Sequence, residues 1–257
     1  MNATSHPAPI VIVTGDTRGT RGTRGIGRSI VERLHRDGHG ILFTHSASDD
    51  EASALEAELH RAGQPCRGLR LDVTADDAPA RIFAAAEELG GGVALVNNAG
   101  VTGRIGSIHE LADDDLQRVV AVNLLAPVRL CREAARRWAG RTTRSTIVNI
   151  SSVAARTGSP GEYVAYAATK AALETLTIGL ARELAPTNIH VNAVSPGTID
   201  TTIHARAGQP DRAWRVAERI PLKRPGQPEE IAGAVAWLLS ADASYVTGSI
   251  VNVSGGL

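Results

Sequence analysis

Residues 14–27 read TGDTRGTRGTRGIG. An apolar run, Ile10 to Val13, precedes them, and apolar positions at helical spacing follow from about Ile26. A glycine-rich turn between a strand and a helix is where a βα unit binds phosphate. The helix N-terminus offers unpaired N–H groups and a positive dipole end, and glycine lets a ligand approach the backbone. The stretch is also unusual. Thr-Arg-Gly occurs in tandem at 17–19, 20–22 and 23–25. It is not the P-loop of a nucleoside triphosphatase, which ends in Gly-Lys-Ser/Thr, because the first lysine of the chain is Lys170. A tight turn before a helix is the plain alternative. The position after the first strand favours a dinucleotide site.

Outward from this loop, strands and helices alternate. Strand 1 is expected at 9–14 and the first helix at 26–37, closed by Gly38 and Gly40. Further strands are expected at 41–44, 67–71, 93–96, 145–151, 190–194 and 249–253. Helices are expected at 51–62, 76–89, 113–138, 162–184 and 228–239, with Pro127 kinking the long one. Residues 198–225 read as a helical excursion, and residues 1–8 as a flexible tail. This order predicts an α/β fold, a single doubly wound parallel seven-stranded sheet of Rossmann type, as one domain over 9–257.

Composition narrows the function. The 257 residues carry 27 basic and 27 acidic side chains, so charge gives no case for nucleic acid or an anionic membrane as partner. No apolar run approaches the length of a membrane span, and the N-terminus has no secretory pattern, which predicts a cytoplasmic protein. Cys66 and Cys131 are the only cysteines and read as buried, reduced thiols. Nothing in the pattern suggests a metal site.

Ligands of an open α/β sheet lie beyond the carboxyl ends of the strands. Polar or glycine clusters recur there: Asp72-Val73, Asn97-Asn98-Ala99-Gly100, and Pro196-Gly197 with Thr198 and Thr201. One such cluster is ordinary turn chemistry. Several in succession on one edge point to a site.

The sharpest constellation is Tyr166-Ala167-Ala168-Thr169-Lys170. Positions i and i+4 share a helix face. An ammonium there is expected to stabilise a phenolate and lower the tyrosine pKa, so that the phenol can exchange a proton with a substrate oxygen. The plain alternative is a surface Tyr–Lys pair. Lys170 is one of only two lysines in an arginine-rich chain, which favours the chemical reading. Ser151 and Ser152 end strand 5 and could bond a carbonyl or alcohol oxygen, or simply cap a turn. Asn123 interrupts an apolar helix stretch. It either faces solvent or holds a water or a backbone carbonyl.

With these residues in view, the chain resembles the short-chain dehydrogenase/reductase family over nearly its whole length, most closely its bacterial 3-oxoacyl-carrier-protein reductase-like and sugar or polyol dehydrogenase-like members. The resemblance rests on Thr14-Gly15…Gly25-Ile26-Gly27, Asp72-Val73, Asn97 to Gly100, Asn123, Ser152, Tyr166-xxx-Lys170 and Pro196-Gly197. It implies an oxidoreductase that interconverts a small-molecule carbonyl and an alcohol. Tyr166 would be the general acid or base, Lys170 would tune it and bind the nicotinamide ribose, Ser152 would polarise the substrate oxygen, and Asn123 would hold a relay water. Asp72 and Val73 would contact adenine. Asn98, Ala99 and Gly100 would line the cofactor cleft, and Ile199 and Thr201 would hold the carboxamide. Tyr163 has no lysine four residues on and is rejected as the acid. A homotetramer or a dimer is implied.

Charge favours NADP(H) over NAD(H). NAD readers place an acid at the end of strand 2. Here His45 and Ser46 stand there, with no acid before Asp49, and Arg18 or Arg24 could pair with a 2′-phosphate. The loop breaks the family pattern. Three residues normally separate its first two glycines, whereas residues 16–24 separate Gly15 from Gly25. The insert either bulges outward, keeping Gly25-Ile26-Gly27 at the helix start, or obstructs the pyrophosphate site. The second reading would make the protein a binding or regulatory subunit.

Overall fold

The computed structural model describes residues 9–15, 25–46, 49–60, 63–202, 209 and 211–257. The tail 1–8, most of the Thr-Arg-Gly repeat, Arg18 and Arg24 lie outside the described residues.

Seven parallel strands form one sheet in the order β3-β2-β1-β4-β5-β6-β7. They are β1 (Ile10–Val13), β2 (Gly40–His45), β3 (Cys66–Arg70), β4 (Gly92–Asn97), β5 (Ser145–Ile150), β6 (Ile189–Pro196) and β7 (Ile250–Val253). The chain winds outward from β1 to β3, then returns to β4 on the other side of β1. This reversal opens a crevice between the ends of β1 and β4. Helices α1 (Ile26–Arg36), α2 (Asp49–His60) and α3 (Ala78–Glu88) connect the first half. Helices α4 (Asp113–Val120), α5 (Ala126–Trp138), α6 (Ala154–Thr157), α7 (Val164–Leu184), α8 (Arg212–Arg215) and α9 (Pro228–Leu239) belong to the second.

The period of a strand divides the core into two layers. On β1, Val11 and Val13 face a cluster with Ile30 and Leu34 of α1 and Val235 of α9. Ile10 and Ile12 face the opposite cluster, with Ile82 of α3, Leu130 of α5 and Val191. All four β1 side chains are fully buried. A strand covered on both faces reads as a continuous apolar run, which is why Ile10 to Val13 could be identified without alternation.

One expectation is corrected. The helix expected over 113–138 is interrupted at Ala121–Leu125 by a single π turn, ahead of Pro127 rather than at it. Pro127 falls in the first turn of α5, where its missing N–H costs nothing. The same missing N–H removes the usual i+4 partner of the Asn123 carbonyl, and the wider π turn absorbs that break. Elsewhere strand and helix ends differ from expectation by a few residues, and the described part of the 198–225 excursion is helical at α8 and at Ala217–Arg219. No helix among the described residues is long and apolar enough to cross a membrane.

Candidate active site

The carboxyl ends of β1, β4, β5 and β6 open into a cavity of about 500 Å³. On one side lies the start of α1, with Gly25 and Ile26 in the wall. Gly25 is extended at the N-cap, and among the described residues no side chain caps the helix there. The dipole end and first-turn amides of α1 lie at the cavity.

The ends of β1 and β4 are knitted together beneath this point. Asn98 Nδ2 donates to the Thr14 carbonyl at 2.9 Å, and the Asn98 amide donates to Thr14 Oγ1 at 3.2 Å. The Gly15 amide donates to Thr44 Oγ1 at 3.0 Å. Gly15 has φ +94°, and a Cβ there would lie 2.5 Å from the Ala99 Cα. Only glycine allows so close a passage. A Cβ on Gly100 would sit 3.5 Å from both Asn123 Oδ1 and Lys170 Nζ, so the bare backbone at Gly100 keeps the cleft open beside the lysine. On the far side the Gly197 amide bonds the Val253 carbonyl at 3.0 Å, and Gly197, Ile199 and Thr201 complete that wall.

Ser152, Tyr166 and Lys170 share the cavity wall. Ser152 follows the end of β5, and its Oγ accepts the Ala154 amide at 3.2 Å. That bond uses the oxygen and leaves the hydroxyl hydrogen available to Tyr166, which Ser152 adjoins in the cavity wall. Lys170 lies one helical turn beyond Tyr166. Its Nζ is buried, donates to the Ile150 carbonyl at 2.7 Å and stands 5.6 Å from the Tyr166 ring centroid.

The ionisation of this pair differs from expectation. The ammonium does not bring Tyr166 below its ordinary value. Burial pushes the phenol up to about 12, and the Ser152 hydrogen bond opposes that only in part. Burial also brings Lys170 down to about 8. Desolvation penalises both charged forms, and it outweighs the attraction across one helical turn.

Asn123 does not face solvent. It is fully buried in the π turn. Its Oδ1 accepts the Val101 amide at 2.9 Å, and its Nδ2 donates to the Val101 carbonyl at 2.8 Å and toward Thr169 Oγ1 at 3.3 Å. The side chain thus holds a backbone segment.

Other expected residues lie apart from the cavity wall. Asp72 is exposed, and its Oδ1 accepts the Thr74 amide and hydroxyl at 2.9 and 2.8 Å. Val73 is buried against the α3 cluster. His45 is buried beside Phe43, its Nδ1 3.7 Å from Asp49 Oδ1, while Ser46 is exposed. The Asp49 carboxylate is bound by Arg70 at 2.7 Å. Gly27 is buried within α1.

Arg212 is a wall residue that no sequence pattern signals. From α8 it pairs with Glu162 and places its guanidinium 5.2 Å from the Tyr163 ring centroid, closing one end of the cavity. The Tyr163 ring meets the Tyr166 ring edge-on, with centroids 6.1 Å apart. The Arg212 contacts join segments far apart in the chain and leave no local trace. Cys66 and Cys131 are free and buried, as expected.

Residues 19–257 match a family model described as "Enoyl-(Acyl carrier protein) reductase". The chain is 40% identical over 250 residues to the "Uncharacterized oxidoreductase YgfF" of Escherichia coli (strain K12), covering 96% of this chain and 99% of that protein. It is 37% identical over 244 residues to the 3-oxoacyl-[acyl-carrier-protein] reductase FabG of Aquifex aeolicus (strain VF5), covering 93% and 95%. Among solved structures, a blue fluorescent protein from a metagenomic library in complex with NADPH superposes with a TM-score of 0.87 at 33% identity, over 97% of this chain and 98% of that one.

Proposed function

This chain belongs to the short-chain dehydrogenase/reductase family, and from that premise we propose that it interconverts a carbonyl and a secondary alcohol with NADP(H), Tyr166 acting as general acid and base. The observation that carries this reading is that Ser152, Tyr166 and Lys170 line one cavity together with the start of α1.

The cavity suits the cofactor. Bare backbone at Gly100, the open N-terminus of α1 and the Gly197–Thr201 wall form one continuous cleft on the carboxyl edge. The Gly25–Ile26 amides would face the pyrophosphate, Lys170 the nicotinamide ribose, and Ile199 and Thr201 the carboxamide. NADP(H) is favoured over NAD(H) because the acid nearest the end of β2, Asp49, is already bound by Arg70. Bound NADPH supplies the hydride.

The protein manages the proton. A phenol held at about 12 is fully protonated near neutral pH, the form that carbonyl reduction requires. Tyr166 gives that proton to the substrate oxygen, while the Ser152 hydroxyl orients the same oxygen. The phenolate left behind is stabilised by Ser152 and by the Lys170 ammonium. A relay water would bind the Asn123 main-chain carbonyl, which Pro127 cannot engage, since the side chain is committed to Val101 and Thr169. In alcohol oxidation the proton moves the other way.

The substrate end mixes apolar residues, Pro160, Tyr163, Val216 and Ile220, with Ser159, Thr202, Arg219 and the Arg212–Glu162 pair. This supports a small-molecule carbonyl substrate. Leu116, Leu125, Val164 and Ile178 are exposed apolar residues, which supports a homodimer or homotetramer. The two buried free thiols fit a cytoplasmic setting. The complete proton-handling set supports an enzyme over a binding or regulatory subunit.

The test is a panel of ketones, aldehydes and 3-oxoacyl thioesters, followed by NADPH absorbance. Wild type should consume NADPH with at least one of them, and prefer it to NADH. Tyr166→Phe should lose about 10²–10⁴-fold in turnover, with NADPH binding by fluorescence titration retained. A Tyr166→Phe protein of full activity would refute the assignment.

A further inference from the structure

Consecutive residues at the end of β5 each meet one stripe of α7. Asn149 Nδ2 donates to Thr177 Oγ1 at 2.9 Å. The Ile150 carbonyl accepts Lys170 Nζ at 2.7 Å. Ser151 Oγ donates to Glu174 Oε1 at 2.8 Å. Ser152 stands beside Tyr166 in the cavity wall and opposes the rise of its pKa. The helix partners 166, 170, 174 and 177 follow the i+4, i+4, i+3 spacing of a single helix face. Asn149 is in turn held by Asn97 Nδ2 at 2.9 Å, which extends the connection to β4.

Of these contacts, Asn149–Thr177 and Ser151–Glu174 are the two that the proton chemistry does not use. Ser151–Glu174 is the one of the two that adjoins Ser152 in the chain. The ladder to β4 stops at Asn97–Asn149, so beyond that point no described β4 pairing supports the β5 chain. On the β6 side the Ser151 amide donates to the Val194 carbonyl at 2.7 Å and the Val153 amide to the Pro196 carbonyl at 2.9 Å, while the Ser151 hydroxyl lies 2.8 Å from Glu174 Oε1 and 3.3 Å from the Lys170 carbonyl. Ser151 is buried, Glu174 is partly buried, and a hydroxyl–carboxylate bond in such a place is stronger than a neutral one.

Resting on the catalytic reading above, we propose that Glu174, acting through Ser151, is a positioning residue that fixes the register of Ser152 against Tyr166. Glu174 lies one turn beyond Lys170 and two beyond Tyr166, so the same helix that carries the acid also anchors the strand end that carries its partner. Its role is as an acceptor rather than as a charge. Burial is the sole cause that moves Lys170, with no contribution from a carboxylate. A neutral amide that still accepts from Ser151 should therefore replace it.

The test compares Glu174→Ala, Glu174→Gln and Ser151→Ala. Glu174→Ala and Ser151→Ala should each lower kcat about tenfold with the KM for NADPH within about twofold of wild type. Adding Glu174→Ala to Ser151→Ala should change little further, because both remove the Ser151–Glu174 bond. Glu174→Gln should recover most of the loss. Hydrogen exchange read by mass spectrometry should quicken over 151–154 and 164–170 in Glu174→Ala and not in Glu174→Gln. Unchanged kcat and exchange in Glu174→Ala would overturn the proposal, as would a Glu174→Gln protein as impaired as Glu174→Ala. If wild type consumed no NADPH with any carbonyl, the functional reading would fail, and the exchange data would still decide whether Glu174 holds the register.

Discussion

Lys170 Nζ donates to the Ile150 carbonyl at 2.7 Å and stands 5.6 Å from the centre of the Tyr166 ring. The lysine thus ties α7 to the end of β5 while keeping its charge one turn from the phenol. Its burial has a measurable consequence. The pKa of Lys170 falls from 10.5 to about 8 in the folded protein. Between those values the unfolded chain binds a proton that the native protein has released, so this group makes stability rise with pH. Lys170→Met removes the effect. Between about pH 7.5 and 9.5 wild type should gain on the order of 2 kcal/mol relative to Lys170→Met. Urea denaturation of both proteins at the two pH values measures it. A constant difference would mean that Lys170 titrates normally.

Asn123 is a fully buried side chain with both ends on Val101. Asn123→Ala strands a buried amide and carbonyl and should cost about 2–4 kcal/mol. Asn123→Asp keeps the shape yet cannot donate to the Val101 carbonyl, so it should also destabilise. Thermal and chemical denaturation report the loss. A fully stable alanine variant would mean that Val101 finds other partners.

Glycines in this chain divide by what surrounds them. A Cβ on Gly197 would lie 2.7 Å from the Ser254 Cα, so Gly197→Ala must push two chain segments apart. It should destabilise by about 1–3 kcal/mol. A Cβ on Gly179, inside α7, would meet nothing within 4 Å, and the φ there is an ordinary helical one. Gly179→Ala should stabilise by about 0.5–1 kcal/mol. Opposite shifts in denaturation midpoint are the expected result, and shifts of the same sign would contradict the contact geometry.

The repeat can be shortened. Deleting residues 20–25 leaves TGDTRGIG and keeps the α1 start at the cavity. Extra loop length costs little entropy, so NADPH affinity should stay within about threefold. Fluorescence titration decides. A gain beyond about tenfold would show that the repeat obstructs the pyrophosphate site.

By itself the sequence determined the order of strands and helices, because apolar period and glycine punctuation are local properties. It also placed Tyr166 and Lys170 on one helix face, because they are four residues apart. The loop ends at Asn98, Gly100 and Gly197 were legible as a group once the strands were placed. Three matters were decided only by tertiary structure. The ionisation of Tyr166 depends on burial, which a helical spacing does not reveal. The task of the Asn123 side chain depends on Val101, which reaches it only after β4 ends. The meeting of Asn149, Ile150, Ser151 and Ser152 with a single stripe of α7 depends on how deeply that helix is set against β5. Spacing along the chain fixes which side chains share a face, and only packing fixes what that face meets.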